Sequence, residues 1–258
     1  MTDNCRKIRK RILEVSAAGR DGNLQSCFSS VEIIWALYDR ILDLTPEKLG
    51  LPHDRFFLSK GQSTLTLLTV LAEKGLLPKE ELDGFCRFDS RIAMQADRTK
   101  FGGQIENSAG SLGHGFPMAV GAAWAAKIKG TGERVFVLAG DGEMNEGTMW
   151  EAMLFASSEG LRNLTLIIDD NGSIGRLISF GDLAKKTEAF GFDTETVDGH
   201  SVDDLAAALA KKSDRPRAII AKTARGYGSK TLSEDRSWFH RYPTAEELTA
   251  LQKEVDAF

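Results

Sequence analysis

Arg134-Val135-Phe136-Val137-Leu138-Ala139-Gly140-Asp141-Gly142 decides the reading of this chain. An unbroken apolar run of this kind fits a strand covered on both faces, and it ends abruptly in Gly-Asp-Gly. A second run, Leu164-Thr165-Leu166-Ile167-Ile168-Asp169, ends in Asp170-Asn171-Gly172. In open α/β sheets the carboxyl ends of strands are where ligands bind. Glycines there let a backbone approach a phosphate, and a following helix N-terminus offers unpaired N–H groups to an anion. Asp141 can give a carboxylate oxygen and Asn171 an amide oxygen to Mg²⁺, which takes octahedral oxygen coordination and shares its shell with substrate phosphates. Taken singly, Gly-Asp-Gly and Asp-Asn-Gly are ordinary turn sequences. Their recurrence after two buried runs, with Asp141 and Asn171 30 residues apart, favours one diphosphate-metal anchor over two unrelated turns.

Outward from this pair the pattern stays regular. Gly110-Ser111-Leu112-Gly113-His114-Gly115 leads into an Ala-rich helix ending near Lys129, whose small residues permit close packing on a sheet or another subunit. Helices are predicted from Glu146 to Ser158, Asp182 to Phe190, Ser201 to Lys212 and Pro243 to Val255, with strands at Asp193–Val197 and Arg217–Lys222. Strands alternating with helices predict an α/β fold, a parallel sheet flanked by helices on both faces. The N-terminal third reads as a helical segment. Ser29 and Glu32 have the spacing of a capping box. Behind them Val31, Ile34, Trp35, Tyr38, Ile41 and Leu42 recur at helical spacing, which predicts one buried face. Pro46 and Gly50-Leu51-Pro52 are expected to break the chain. Arg55 to Ser59 is a strand candidate, and Lys60-Gly61-Gln62 turns into a helix carrying Leu65, Leu68 and Leu71.

The composition is compatible with a full core: 258 residues, 42% of them hydrophobic, with a net charge of -4. Dispersed Lys and Arg argue against nucleic-acid binding, and no apolar run reaches the roughly 20 residues that cross a bilayer. The polar N-terminus has no apolar stretch typical of a signal peptide. Cys5, Cys27 and Cys86 have neither metal nor disulfide spacing, as expected of free thiols in the cytoplasm.

Gly140-Asp141-Gly142-Glu143-Met144-Asn145-Glu146-Gly147, continuing to Asp169-Asp170-Asn171, resembles the thiamine diphosphate signature of the transketolase family. The resemblance extends over nearly the whole chain. Gly19 to Tyr38 is similar to the family's first helix-loop-helix, and Asp54 to Gly61 to its "DRF-LSKG" turn. Glu106 to Gly115 resembles the stretch ending in "GSLG-G". Lys222-Thr223, Gly226-Tyr227-Gly228 and Trp238-Phe239-His240 are similar to the family's domain end. The resemblance implies a thiamine diphosphate-binding fold, a single diphosphate-binding domain over residues 1–258, with the pyrimidine-binding and C-terminal domains expected on a partner chain. That is the arrangement of the N-terminal subunit of a two-gene transketolase-like enzyme, an α2β2 heterotetramer inactive without its partner.

By position, the resemblance implies that Asp141, Asn171 and the backbone carbonyl of Ser173 hold Mg²⁺, or another divalent cation such as Ca²⁺ or Mn²⁺. Gly140 and Gly142 then adjoin the diphosphate, and Gly110 and Leu112 lie against the rings. Glu146 faces a subunit interface, and His240 sits near the diphosphate and the reacting carbon. An ordinary first-turn helix carboxylate is the alternative for Glu146. Three positions depart from the family: Asn23, Gln62 and Gln95 stand where transketolases acting on sugar phosphates have histidines. Amides of this reach can still bind cofactor (Asn23, Gln62) or substrate (Asn23, Gln95), but they carry no proton at neutral pH. His114 and His240 are the candidates to compensate, with a helix-start histidine of no catalytic duty as the alternative for His114. His53 and His200 flank turn-like segments and read as structural or solvent-exposed.

The expected activity is therefore transfer of a two-carbon ketol unit from a ketose-type donor to an aldehyde-type acceptor. The amides point to atypical substrates, as in secondary-metabolite biosynthesis or the use of a modified sugar. Two alternatives stay open at this stage. One is a decarboxylase or acyl-transfer component loading a lipoyl or carrier-protein thiol. The other is a non-catalytic cofactor-binding relic.

Overall fold

The computed structural model describes residues 1–44, 53–101, 103–173 and 181–258. Five parallel strands form one sheet: β1 (Arg55–Leu58), β2 (Val135–Gly140), β3 (Leu164–Asp170), β4 (Asp193–Asp198) and β5 (Arg217–Lys222), in the order β1-β2-β3-β5-β4. Every residue of β2 is buried, as its continuous apolar sequence requires, whereas β4 at the edge is partly exposed. Strand residues alternate between two cores. Phe56, Leu58, Phe136, Leu138, Ile167 and Ile219 point to one side; Phe57, Val135, Val137, Leu166, Ile168 and Ile220 point to the other.

The first side is covered by α1 (Asp3–Gly19), α2 (Leu24–Ser29), α3 (Val31–Ala36), α4 (Thr64–Glu73), α8 (Val202–Ala210) and α10 (Ala245–Ala257). The second is covered by α5 (Gly115–Lys129), α6 (Gly147–Ser158) and α7 (Leu183–Ala189), and a short α9 (Lys230–Glu234) follows β5. The helical N-terminal segment and the two-sided sheet agree with the sequence pattern. Element ends move by one or two residues, where capping geometry rather than periodicity sets the boundary.

Two local expectations are corrected. The Ser29–Glu32 capping box does not form: Ser30 caps α3 without a side-chain bond. Ser29 Oγ instead donates to Asp169 (2.7 Å), and the Glu32 carboxylate is held by both Arg9 terminal nitrogens (2.6 and 2.7 Å). Charged and buried partners outcompete a marginal local cap. Nor does α3 bury only one face: all six of its residues are buried, Glu32 included, because other helices surround it. Its continuation, Leu37–Ile41, widens to a π-turn rather than running on as α-helix. The predicted break at Pro46 and Gly50-Leu51-Pro52 lies outside the described residues.

Parallel pairing aligns the carboxyl ends of the central strands. Gly140 of β2 pairs in register with Asp169 of β3, and Asp169 with Ala221 of β5. The two motifs separated in sequence therefore meet at one edge of the sheet, joined by Ser59-Lys60-Gly61 after β1 and Thr223 after β5.

Candidate active site

Asp141 begins a 3-10 turn directly after β2 and is 2% exposed. A carboxylate buried to that extent needs donors. The Ser173 N–H (2.9 Å) and hydroxyl (2.7 Å) supply them. The same N–H reaches Asn171 Oδ1 at 3.0 Å, so the carboxylate and the amide oxygen converge on one point. Asn171 is oriented by its other end, where Nδ2 donates to Ser29 Oγ at 3.4 Å. Ser173 thus adjoins the other two expected residues, its N–H and hydroxyl recruited as donors by the buried carboxylate. A Cβ at Gly142 would meet nothing within 4 Å, which leaves the backbone beside Asp141 open to a bulky anion. One carboxylate, one amide oxygen and open backbone suit a cation that shares its shell with phosphates. They do not form an all-protein cage: no cluster of three His, Cys, Asp or Glu side chains able to hold a metal occurs among the described residues.

Beneath this pair lies a buried ionic cluster that the sequence did not reveal. Asp169 is fully buried and accepts from Ser29, Lys60 and Thr223. Lys60 also donates to the Ser26 carbonyl and to Ser29 Oγ, each at 3.0 Å. Lys60 was visible only as part of the "LSKG" turn, and Asp169 only as the end of a strand. Ser29 links this cluster to Asn171, so the Asn171 amide rests on the ion pair. Arg225, also missed, is half-buried. Burial and the charge of Arg236 lower its guanidinium's hold on its proton, and Asp141 opposes them. Its partner is the neutral Gln25 Oε1 (2.6 Å), and its buried Nε has no hydrogen-bond partner among the described residues. A cation near Asp141 that pairs with no carboxylate among the described residues can receive an anion.

The amides gather on the other side. Asn23 Nδ2 lies 3.6 Å from the Met94 sulfur, and Asn23 Oδ1 is buried without a partner among the described residues. Gln95 Oε1 is likewise buried and unpartnered. It sits where a Cβ on Gly61 would come within 2.2 Å, and 3.9 Å from where a Gly110 Cβ would be, so Gln95 spans Gly61 and the start of the Gly-rich loop. Buried acceptors in native proteins are almost always satisfied, so these two oxygens mark where a hydroxyl- or amino-bearing ligand could donate. Gln62 is partly buried next to Gly61. Gly110, Leu112 and His114 line the loop that runs toward α5, and the His114 Nδ1 contacts the Leu112 carbonyl at 3.0 Å. Glu146 caps α6 and packs against Gly113.

His240 stands apart from this hydrogen-bonded cluster. It is exposed, has a left-handed backbone (φ 52°) and packs edge-on against Phe239, whose ring lies 5.8 Å from the Arg225 guanidinium. His200 is structural, as its flanking turn suggested. It stacks on Tyr227 at 3.5 Å, contacts Glu32 Oε2 through Nδ1 at 3.2 Å, and accepts the Ala224 N–H at 2.8 Å.

The family described as "Transketolase, thiamine diphosphate binding domain" matches residues 3–255. The chain is 33% identical over 257 residues to an apulose-4-phosphate transketolase subunit of Actinobacillus succinogenes, covering 96% of this chain and 93% of that one. It is 41% identical over 203 residues to a Rhodococcoides fascians protein named ferredoxin fas2, covering 78% of this chain and 66% of that one. Among solved structures it is similar to transketolase from Campylobacter jejuni, with a TM-score of 0.85 and 26% identity, covering 100% of this chain and 43% of that chain. Sequence and fold agree, and the chain belongs to the transketolase family, within its thiamine diphosphate-binding domain.

Proposed function

We propose that this chain is the diphosphate- and metal-anchoring half of a split transketolase-like enzyme. With a partner subunit supplying the pyrimidine-binding domain, it transfers a two-carbon ketol unit from a ketose-type donor to an aldehyde-type acceptor. The observation that carries this reading is the convergence of Asp141 and Asn171 on Ser173 at adjacent strand ends, beside the open backbone of Gly142. Asp141 and Asn171 would hold Mg²⁺, with Ser173 as the third contributor, and Gly140, Gly142 and Arg225 would face the diphosphate. When bound, the cofactor supplies the electron sink for breaking and forming the bond next to a carbonyl. The chain's own contribution is to fix the diphosphate and present the rings to the partner across Gly110 and Leu112.

Asn23, Gln62 and Gln95 would accept from or donate to cofactor and substrate without moving protons. His114 and His240 are the remaining imidazoles proposed for proton transfer, with Glu146 linking paired sites. Neutral amides at three positions favour a substrate other than the common phosphosugar pair. Relatives that are themselves named as single transketolase subunits, matched over nearly their full length, support the partner. So does a band of exposed apolar side chains on α5 and α6: Met118, Trp124, Ile128, Leu154 and Phe155. Apolar surface of this kind marks an interaction site. An α2β2 assembly in the cytoplasm completes the reading, and no helix among the described residues is long and apolar enough to cross a membrane.

The test is reconstitution. The purified pair, with thiamine diphosphate and Mg²⁺, is expected to cleave a ketose donor, and the chain alone to be inactive. Turnover by the chain without a partner overturns the split-site reading. Rates on xylulose 5-phosphate and ribose 5-phosphate typical of a housekeeping transketolase overturn the substrate reading.

A further inference from the structure

Glu143 follows the Gly-Asp-Gly anchor by one residue and is 1% exposed. Its carboxylate binds three separate segments of the chain. Oε1 accepts the Ser59 hydroxyl at 2.7 Å and the Gly113 N–H at 3.0 Å, and Oε2 accepts the Gly140 N–H at 3.0 Å. Burial pushes this carboxyl up, and the three donors oppose that. Space-filling alone would be served by an apolar side chain without the cost of burying a charge. The charge is used here to gather two backbone N–H groups and a hydroxyl.

The segments it joins are those that frame the proposed cofactor. Gly140 precedes Asp141, Gly113 follows Leu112, and Ser59 precedes Lys60-Gly61. Gly113 is held from its other side as well, by the Thr148 hydroxyl on its carbonyl at 2.8 Å. It has φ +75°, and a Cβ there would lie 2.6 Å from both Glu146 Cβ and Thr148 Oγ1. A Cβ on Gly115 would lie 2.5 Å from Ser59 Cα. The loop is thus clamped at two glycines that leave no slack, and Glu143 ties the clamp to the anchor strand.

We propose that Glu143 is a positioning residue that holds the Gly110–Gly115 loop at a set distance from Gly140-Asp141-Gly142, and so aligns the rings of the bound cofactor with its anchored diphosphate. This rests on the function proposed above. Glu143→Gln is the near-isosteric probe. An amide nitrogen at Oε2 faces the Gly140 N–H, and at Oε1 it faces the Gly113 N–H. Either way one backbone donor loses its acceptor and the loop shifts, while Asp141 and Asn171 keep their places.

The variant is measured in the reconstituted enzyme, well below its melting temperature. Thiamine diphosphate affinity in the presence of Mg²⁺ and the donor KM should stay near wild type. The kcat should fall about 10- to 100-fold, the scale set by misplacement of roughly 1 Å. The near-ultraviolet circular dichroism of the bound cofactor should change, which mere loss of folded protein would not produce once binding is saturated. Thr148→Val, which removes only the grip on the Gly113 carbonyl, should shift the same spectrum with a smaller fall in kcat. A folded, cofactor-loaded Glu143→Gln enzyme with wild-type kcat and spectrum overturns the proposal. Should that variant not fold, a Thr148→Val enzyme identical to wild type overturns it. Wild-type protein that binds no cofactor overturns the function itself and this inference with it.

Discussion

Two carboxylates lie at the ends of neighbouring strands, and opposite duties follow for them from the proposed function. Asp169 is fully buried against Lys60, whose side chain is 5% exposed. Asp169→Asn leaves that ammonium facing a neutral amide. Removing one partner of a buried ion pair costs about 3–5 kcal/mol. Unfolding entropy of roughly 2.1 cal/mol/K per residue, over this chain length, converts that to a melting-temperature drop of about 5–10 °C. Among the described residues Asp141 is hydrogen-bonded to Ser173, and Asn at that position keeps one acceptor for it. Its cost to the isolated chain is about 1 kcal/mol, or roughly 2 °C. For binding, the order reverses. Asp141→Asn removes the only carboxylate of the proposed metal set and should weaken Mg²⁺-dependent thiamine diphosphate binding by about 100-fold or more, beyond the 10–100-fold seen when a ligand's supporting group is lost. Differential scanning calorimetry of the ligand-free variants and isothermal titration with cofactor and Mg²⁺ read the two quantities separately. Wild-type binding by Asp141→Asn, or wild-type melting by Asp169→Asn, would show that the roles have been assigned wrongly.

Acid should act through Glu32. Burial alone would raise its carboxyl, but the Arg9 charge and hydrogen bonds from His200 and Arg9 hold it at about 2, below the ordinary 4.5. Because the folded value is the lower one, the stabilisation is complete above the unfolded value and is lost as pH falls from 4.5 toward 2. It amounts to about 3 kcal/mol. Urea unfolding across that window should show a flatter pH slope for Glu32→Gln, at a lower stability near neutrality; parallel slopes would contradict the assignment. On the α5–α6 face, Leu154 is 61% exposed. Leu154→Lys should leave stability within about 0.5 kcal/mol of wild type. It should weaken partner association by about tenfold or more, as for an interface residue costing over 1 kcal/mol. Unchanged affinity in sedimentation experiments would remove α6 from the interface.

The sequence by itself determined the strands and the turns at their tips. Continuous apolar runs such as Val135–Ala139 are legible because a strand buried on both faces needs no partner to declare itself. Gly140-Asp141-Gly142 and Asn171 are legible because each proposed anchor stands in a glycine turn directly after a buried apolar run. What surrounds them was decided only by tertiary structure. Ser29 finds Asp169 across 140 positions, and Glu143 finds Ser59 across 84. Such bonds leave no local pattern, and at Ser29 they overrode the local pattern that was present. The oxygens of Asn23 and Gln95, unpartnered among the described residues, are also facts of burial, which no spacing encodes. A backbone motif is written in neighbouring residues. The distance and dielectric that tune its side chains are set by segments the fold brings in from elsewhere.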